Sequence, residues 1–134
     1  MARRATRRHT GGMQIFIVED SALVRKRLEA LLGEVPGASI QGHASGARQA
    51  IDAILAGRPD VVILDVSLAE GGGFEVLREL NARAPEIDVY MLSNFSAYPY
   101  RSLAERLGAR GFFDKTREFE RVRDVVAERA ASHG

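Results

Sequence analysis

At 134 residues the chain has room for one compact domain with a sizeable core and none for a second of ordinary size. Its 46% hydrophobic and 28% charged residues are those of a globular protein, no apolar run approaches the roughly 20 residues of a membrane helix, and the absence of cysteine excludes disulfides, thiolate catalysis and zinc–sulfur sites. The net charge of +1 conceals an asymmetry: residues 1–12 carry Arg3, Arg4, Arg7 and Arg8 and no acid, whereas from Met13 onward 15 basic residues face 18 acidic ones. That body has no basic bias of the kind that suggests nucleic-acid binding, and His9, His43 and His133 show no metal-ligand spacing.

Residues 1–12 show no apolar period and end in Gly11-Gly12, so they read as a disordered basic extension. They lack the apolar stretch of a secretory signal, which makes a cytoplasmic location the expectation. Residues 13–134 alternate short β-branched runs with helical patterns, as βαβ units do. The first strand, Gln14–Val18, runs through Glu19-Asp20-Ser21 into a helix whose apolar face is Val24, Leu28, Leu31 and Val35, stopped by Pro36-Gly37. A strand over Ser39–His43 precedes a helix through Ala47, Ile51, Ile54 and Leu55, closed by Gly57 and Pro59. Val61–Leu64 is uniformly apolar, the signature of a central parallel strand covered on both faces, and delivers Asp65 at its end. Phe74, Leu77 and Leu80 mark a third helix, Asp88–Leu92 a fourth strand, and Tyr100–Leu107 a fourth helix with Pro99 at its first position. Gly111–Phe113 is the last strand, and Phe119, Val122, Val125 and Val126 stripe a closing helix. Five such units suit a doubly wound α/β fold: a five-stranded parallel sheet in the flavodoxin-like order 2-1-3-4-5, helices on both faces, and a site outside the carboxyl ends of the strands.

Four of those ends carry polar groups: Glu19 and Asp20 after the first strand, Asp65 after the third, Ser93 after the fourth and Lys115 after the fifth. Three carboxylates converging on one crevice repel by about 1–4 kcal/mol per pair at 4 Å. A hard divalent cation with oxygen ligands, Mg²⁺ or Mn²⁺, relieves this, with Asp20 and Asp65 as direct ligands and Glu19 beside them. Asp65 is then a nucleophile able to form an acyl phosphate, and Lys115 the partner of a phosphoryl oxygen. Lysine is rare in this chain, with only Lys26 and Lys115 among 19 basic residues, and its compact ammonium suits a point contact of this kind.

The runs IFIVEDS, VVILDVSL, GGGFEVLREL, MLSN and GARGFFDK resemble, in order and spacing, the receiver domain of two-component response regulators, over roughly Met13 to Ala130. The resemblance implies Glu19 and Asp20 as the acidic pair, Asp65 as phosphoacceptor, Ser93 as the hydroxyl that senses the phosphoryl group and Lys115 as the site lysine. It also implies the backbone carbonyl of Ser67 as a metal ligand and Phe112 as an aromatic that changes rotamer on activation, with Ser67 and Phe95 in places that tune hydrolysis of the acyl phosphate. The sequence departs from the family's commoner pattern at Ala69 and Thr116, where proline is frequent, and at Phe112, which lacks a tyrosine hydroxyl. The implied function is that of a stand-alone receiver: a phosphoacceptor signalling domain, not an enzyme acting on a separate substrate. Its donor is a histidine kinase or phosphotransfer protein and its downstream target a protein, reached through the face around the fourth and fifth helices. The resemblance leads to the expectation of neither a DNA-binding domain nor a membrane partner, and leaves homodimerisation on phosphorylation open.

Each residue alone has a plainer explanation. Glu19-Asp20-Ser21 is also a helix N-cap with acids favoured by the dipole, Asp65 a strand-end turn residue, Ser93 a capping hydroxyl and Lys115 a solvated lysine. Gly71-Gly72-Gly73 lacks nucleotide-binding spacing and reads as a turn before a helix. Two other functions fit the fold class: a phosphorylation-independent, receiver-like interaction scaffold, and a small flavin or nucleotide binder. Glu19 and Asp20 speak against the latter, since they would repel a phosphate after the first strand.

Overall fold

A computed structural model describes residues 12–68, 70–94 and 98–133. The basic extension expected over residues 1–12 thus lies outside the described residues except for Gly12, and so do Ala69 and Phe95. In chain order the elements are β1 (Met13–Val18), α1 (Ala22–Leu32), β2 (Ala38–Ala44), α2 (Ala47–Gly57), β3 (Val61–Asp65), α3 (Gly73–Arg83), β4 (Asp88–Ser93), α4 (Tyr98–Arg106), β5 (Gly111–Asp114) and α5 (Arg121–Ala131). The strands form one parallel sheet in the order β2-β1-β3-β4-β5.

The two-residue period of the strands sorts the core onto the two faces of the sheet. Ile15 and Ile17 of β1, Ile63 of β3, Leu92 of β4 and Phe113 of β5 pack with Leu28 and Leu32 of α1 and Val122 and Val126 of α5. Phe16, Val18, Val62, Leu64, Met91 and Phe112 point the other way, onto Ile51 and Ile54 of α2, Val76, Leu77 and Leu80 of α3 and Ala104 of α4. This two-sided burial is why Val61–Leu64 reads as an unbroken apolar run.

Three boundaries differ from expectation. α1 ends at Leu32, capped by Gly33, and Val35 joins the core from the turn beyond it. Phe119 likewise lies before α5, not on it, yet is buried. Pro99 is the second residue of α4, where its missing N–H still falls among the four that find no partner within a helix.

The amino ends of the strands are tied by satisfied acids. The Asp60 carboxylate accepts the Gln14 N–H at 2.8 Å, and Asp88 receives Arg129 Nε at 2.6 Å with an Arg110 Nη 3.6 Å away. Among the described residues no helix is long and apolar enough to cross a membrane.

Candidate functional site

At the opposite, carboxyl ends the sheet brings Glu19, Asp20, Asp65, Ser67 and Lys115 to one open crevice of about 520 Å³. Glu19 is set by a ladder bond beyond β1, its N–H donating to the carbonyl of Ala44 at 3.0 Å. Asp65 ends β3 in register with Leu92, and the Val66 N–H that follows donates to Leu92 O at 2.9 Å. Lys115 follows β5, and its N–H donates to the carbonyl oxygen of Ser93 at 2.9 Å. Ser93, buried at the end of β4, therefore borders the site through its backbone.

Lys115 Nζ lies 3.0 Å from Glu19 Oε1 and 3.1 Å from Asp65 Oδ1. Glu19 Oε2 accepts the Ser21 N–H at 3.1 Å, whereas the buried Oε1 is met by the Lys115 ammonium alone. One carboxylate oxygen each from Glu19, Asp20 and Asp65 lie within 4.8 Å of one another, with Asp20 exposed and the other two buried. An all-oxygen donor set, a buried carboxylate oxygen whose one partner is a shared lysine, and an excess of negative charge fit a hard divalent cation.

Burial pushes the Glu19 carboxyl above the usual carboxylate range, and the neighbouring charge of Asp65 adds to that, against the pull of Lys115 and the Ser21 N–H. Burial raises Asp65 as well, with Lys115 the strongest opposing influence and the Ser67 N–H, which donates to this carboxylate, a further one. For Lys115 burial alone would lower the ammonium's affinity for its proton, but Asp65 and Glu19 together carry it above its ordinary value. Two acids share one lysine, so the crevice is short of positive charge.

Ser21 reconciles two readings of its segment. It is the N-cap of α1, its Oγ accepting the Val24 N–H at 3.2 Å, while its own N–H holds Glu19. The cap that starts the helix also fixes an acid of the site. The glycine run is held at defined points: the buried Gly73 donates its N–H to Val66 O at 2.8 Å, Ser67 and Gly72 form an antiparallel bridge, and Gly71 has φ +73°, a left-handed conformation that side chains disfavour.

Phe112, whose side chain lies on the α2–α4 face of the sheet, is clamped from outside by Arg101 of α4. Arg101 Nη1 donates to the Phe112 carbonyl oxygen at 2.8 Å, and the guanidinium carbon stands 5.1 Å from the Phe112 ring centroid. A second Arg101 nitrogen is 3.5 Å from Glu118 Oε1, which also accepts the Asp114 N–H at 3.0 Å. Tyr100 stacks on Phe74 with ring centroids 6.3 Å apart. Neither Arg101 nor Arg27, which lines the crevice, was singled out from sequence; each lies among several arginines, and only tertiary placement sets it apart.

The chain matches the model of the response regulator receiver domain over residues 15–127. It is 34% identical over 122 residues to the DNA-binding transcriptional activator DevR/DosR of Mycobacterium tuberculosis, covering 88% of this chain and 56% of that protein. It is 35% identical over 118 residues to protein-glutamate methylesterase/protein-glutamine glutaminase 1 of Carboxydothermus hydrogenoformans, covering 87% of this chain and 34% of that one. The chain thus spans about half of the first relative's length and a third of the second's. Among solved structures, the signal receiver domain of a DNA-binding response regulator from Colwellia psychrerythraea superposes with a TM-score of 0.81 at 24% identity, covering 90% of this chain and 99% of that one. The response regulator domain of Thermotoga maritima CheB does so with 0.78 at 23%, covering 90% and 95%. By sequence and by its five-stranded parallel architecture, the chain belongs to the response regulator receiver domain family of two-component signalling.

Proposed function

We propose that this receiver is a phosphorylation-driven switch whose phosphoacceptor is Asp65. The observation that supports it best is the shared ion pair: Lys115 bridges Asp65 and Glu19 at 3.1 and 3.0 Å beside the exposed carboxylate of Asp20. In the reaction an Asp65 carboxylate oxygen forms a bond to the phosphorus of a phosphohistidine while the phosphorus–nitrogen bond breaks. The imidazole of a histidine kinase or phosphotransfer protein leaves, and an acyl phosphate remains. Lys115 exchanges a carboxylate for a phosphoryl oxygen, and Ser93 supplies its hydroxyl to another. Asp20, Asp65 and the Ser67 carbonyl would hold Mg²⁺ or Mn²⁺, with Glu19 beside them. When bound, the ion neutralises charge on the transferring group.

Signal output follows from two neighbours of the site. Ser93 ends β4, immediately before the segment that leads into α4, and Phe112 sits on β5 under Arg101 of α4. Drawing Ser93 toward a phosphoryl group shifts the balance between two arrangements of the α4–β5–α5 face, which a downstream protein reads.

The test is intact-protein mass spectrometry after incubation with acetyl phosphate or phosphoramidate, with and without Mg²⁺, on the wild type and Asp65→Asn. The expected result is a Mg²⁺-dependent single phosphate adduct absent from the variant. No adduct, with the donor shown active on another receiver, would replace this reading with that of a phosphorylation-independent scaffold.

A further inference from the structure

The crevice lining is of two unlike kinds. Beside the acids and Lys115, its lining includes Val24, Thr116 and Phe119, and Arg27 of α1. The Arg27 guanidinium carbon lies 4.3 Å from the centroid of the buried Phe119 ring, close enough for a cation–π contact that fixes the side chain at the mouth. Lys115 is taken up by two carboxylates, whereas among the described residues no carboxylate oxygen lies within 4.0 Å of Arg27. The crevice that holds Asp65 is therefore also lined by a cation with no carboxylate partner among the described residues. A round space of about 520 Å³ would be about 10 Å across, about one Debye length at 0.1 M ionic strength, so that charge is felt across much of the crevice.

We propose that Arg27, seated on Phe119, is a specificity-determining residue for the phosphodonor: it favours small acyl phosphates, which enter as dianions, over donors of lower charge such as phosphoramidate. This rests on Asp65 being the phosphoacceptor. Arg27 does not touch the reacting atoms; it raises the local concentration of the donor and orients its approach. The transfer itself is unchanged, with the bond from the Asp65 oxygen to phosphorus forming as the bond from phosphorus to the acyl oxygen breaks and a carboxylate leaves.

The experiment compares labelling rates of the wild type, Arg27→Gln, Arg27→Lys and Phe119→Leu by acetyl phosphate and by phosphoramidate in Mg²⁺, with urea unfolding of each as the folding control. Arg27→Gln should slow labelling by acetyl phosphate about fivefold while changing labelling by phosphoramidate less than about twofold. Arg27→Lys should restore most of the difference. Phe119→Leu, which keeps the charge but removes its seat, should fall between. Raising salt should narrow the gap between wild type and Arg27→Gln. A direct readout uses Asp65→Asn, which cannot be labelled: acetyl phosphate should shift its Arg27 side-chain N–H resonance, and phosphoramidate should shift it less. Equal slowing with both donors, or none with either, overturns the role of Arg27 while leaving Asp65 in place. A wild type labelled by neither donor overturns the phosphoacceptor reading itself, and the proposal with it.

Discussion

The backbone of Gly73 lies so close to the carbonyl oxygen of Asp65 that no methyl group fits between them, and Val66 Cα stands 2.9 Å from where a Cβ would be. The start of α3 is thus packed directly against the end of the strand that carries Asp65. At Gly72, one residue earlier, a Cβ would meet nothing within 4 Å. Gly73→Ala is expected to cost about 1–3 kcal/mol or more, as overpacking of a rigid neighbour does, and to slow phosphorylation by displacing Asp65. Gly72→Ala should do neither. Urea unfolding and labelling rates of the pair give the comparison, and equal behaviour would remove the argument.

Asp65→Asn should stabilise the metal-free protein while abolishing the adduct. Burial of its carboxylate outweighs what Lys115 and the Ser67 N–H give back, so a neutral amide is easier to bury there. The gain should be about 1 kcal/mol, the size of an ordinary single-site effect, read as a raised urea midpoint in EDTA.

The same charges set a pH dependence of known sign. In the folded protein Glu19 and Asp65 hold protons more tightly than their ordinary values of 4.5 and 3.8. The native state therefore binds more protons than the unfolded one above those values, and this pair's contribution to stability falls as pH rises through the window up to the native values. Lys115 acts at the other extreme, its contribution being held up to its ordinary value of 10.5 and lost above it. In EDTA the stability advantage of Asp65→Asn over wild type should grow from about pH 4 upward. A flat difference would refute the assignment.

Mg²⁺ should reverse that trend. Saturating ion stabilises the folded state by about 2.7 kcal/mol at a hundredfold excess over Kd, and thermal unfolding against Mg²⁺ concentration gives the curve. Asp20→Asn, at the exposed corner of the acidic cluster, should move the curve to about tenfold higher concentration, equivalent to roughly 1.4 kcal/mol.

Arg101→Ala should cost about 1–2 kcal/mol through loss of the hydrogen bond to the Phe112 carbonyl and the contact with its ring. It should also speed hydrogen exchange of the Asp114 N–H, whose acceptor Glu118 loses its tether. Unchanged exchange would show that α4 and β5 are not joined through this residue.

The parts of this molecule that follow a simple period were legible in the sequence. Val61–Leu64 announced a central strand because both its faces are buried, and the acids and Lys115 stood at strand ends that topology alone converges. The turns escaped because tertiary packing overrides local pattern there. Val35 and Phe119 obey the apolar spacing of their helices yet sit outside them, held by the core rather than by a helical backbone. The glycine run reads as a loose turn, and only the nearness of Asp65 makes Gly73 a steric requirement. Arg27 and Arg101 carried no signal because in a chain of 17 arginines a particular one matters only through the ring it covers.

The two ends of the sheet have a consequence for how this protein tolerates change. Asp88, at the start of β4, is matched by arginines, whereas Asp65, at the end of the adjacent β3, competes for a single lysine. The same replacement by asparagine should weaken the molecule at one end and strengthen it at the other. Robustness and reactivity are thus lodged four residues apart along neighbouring strands, and the amino-end pairs can be reinforced to offset sequence drift around the crevice without touching the chemistry there.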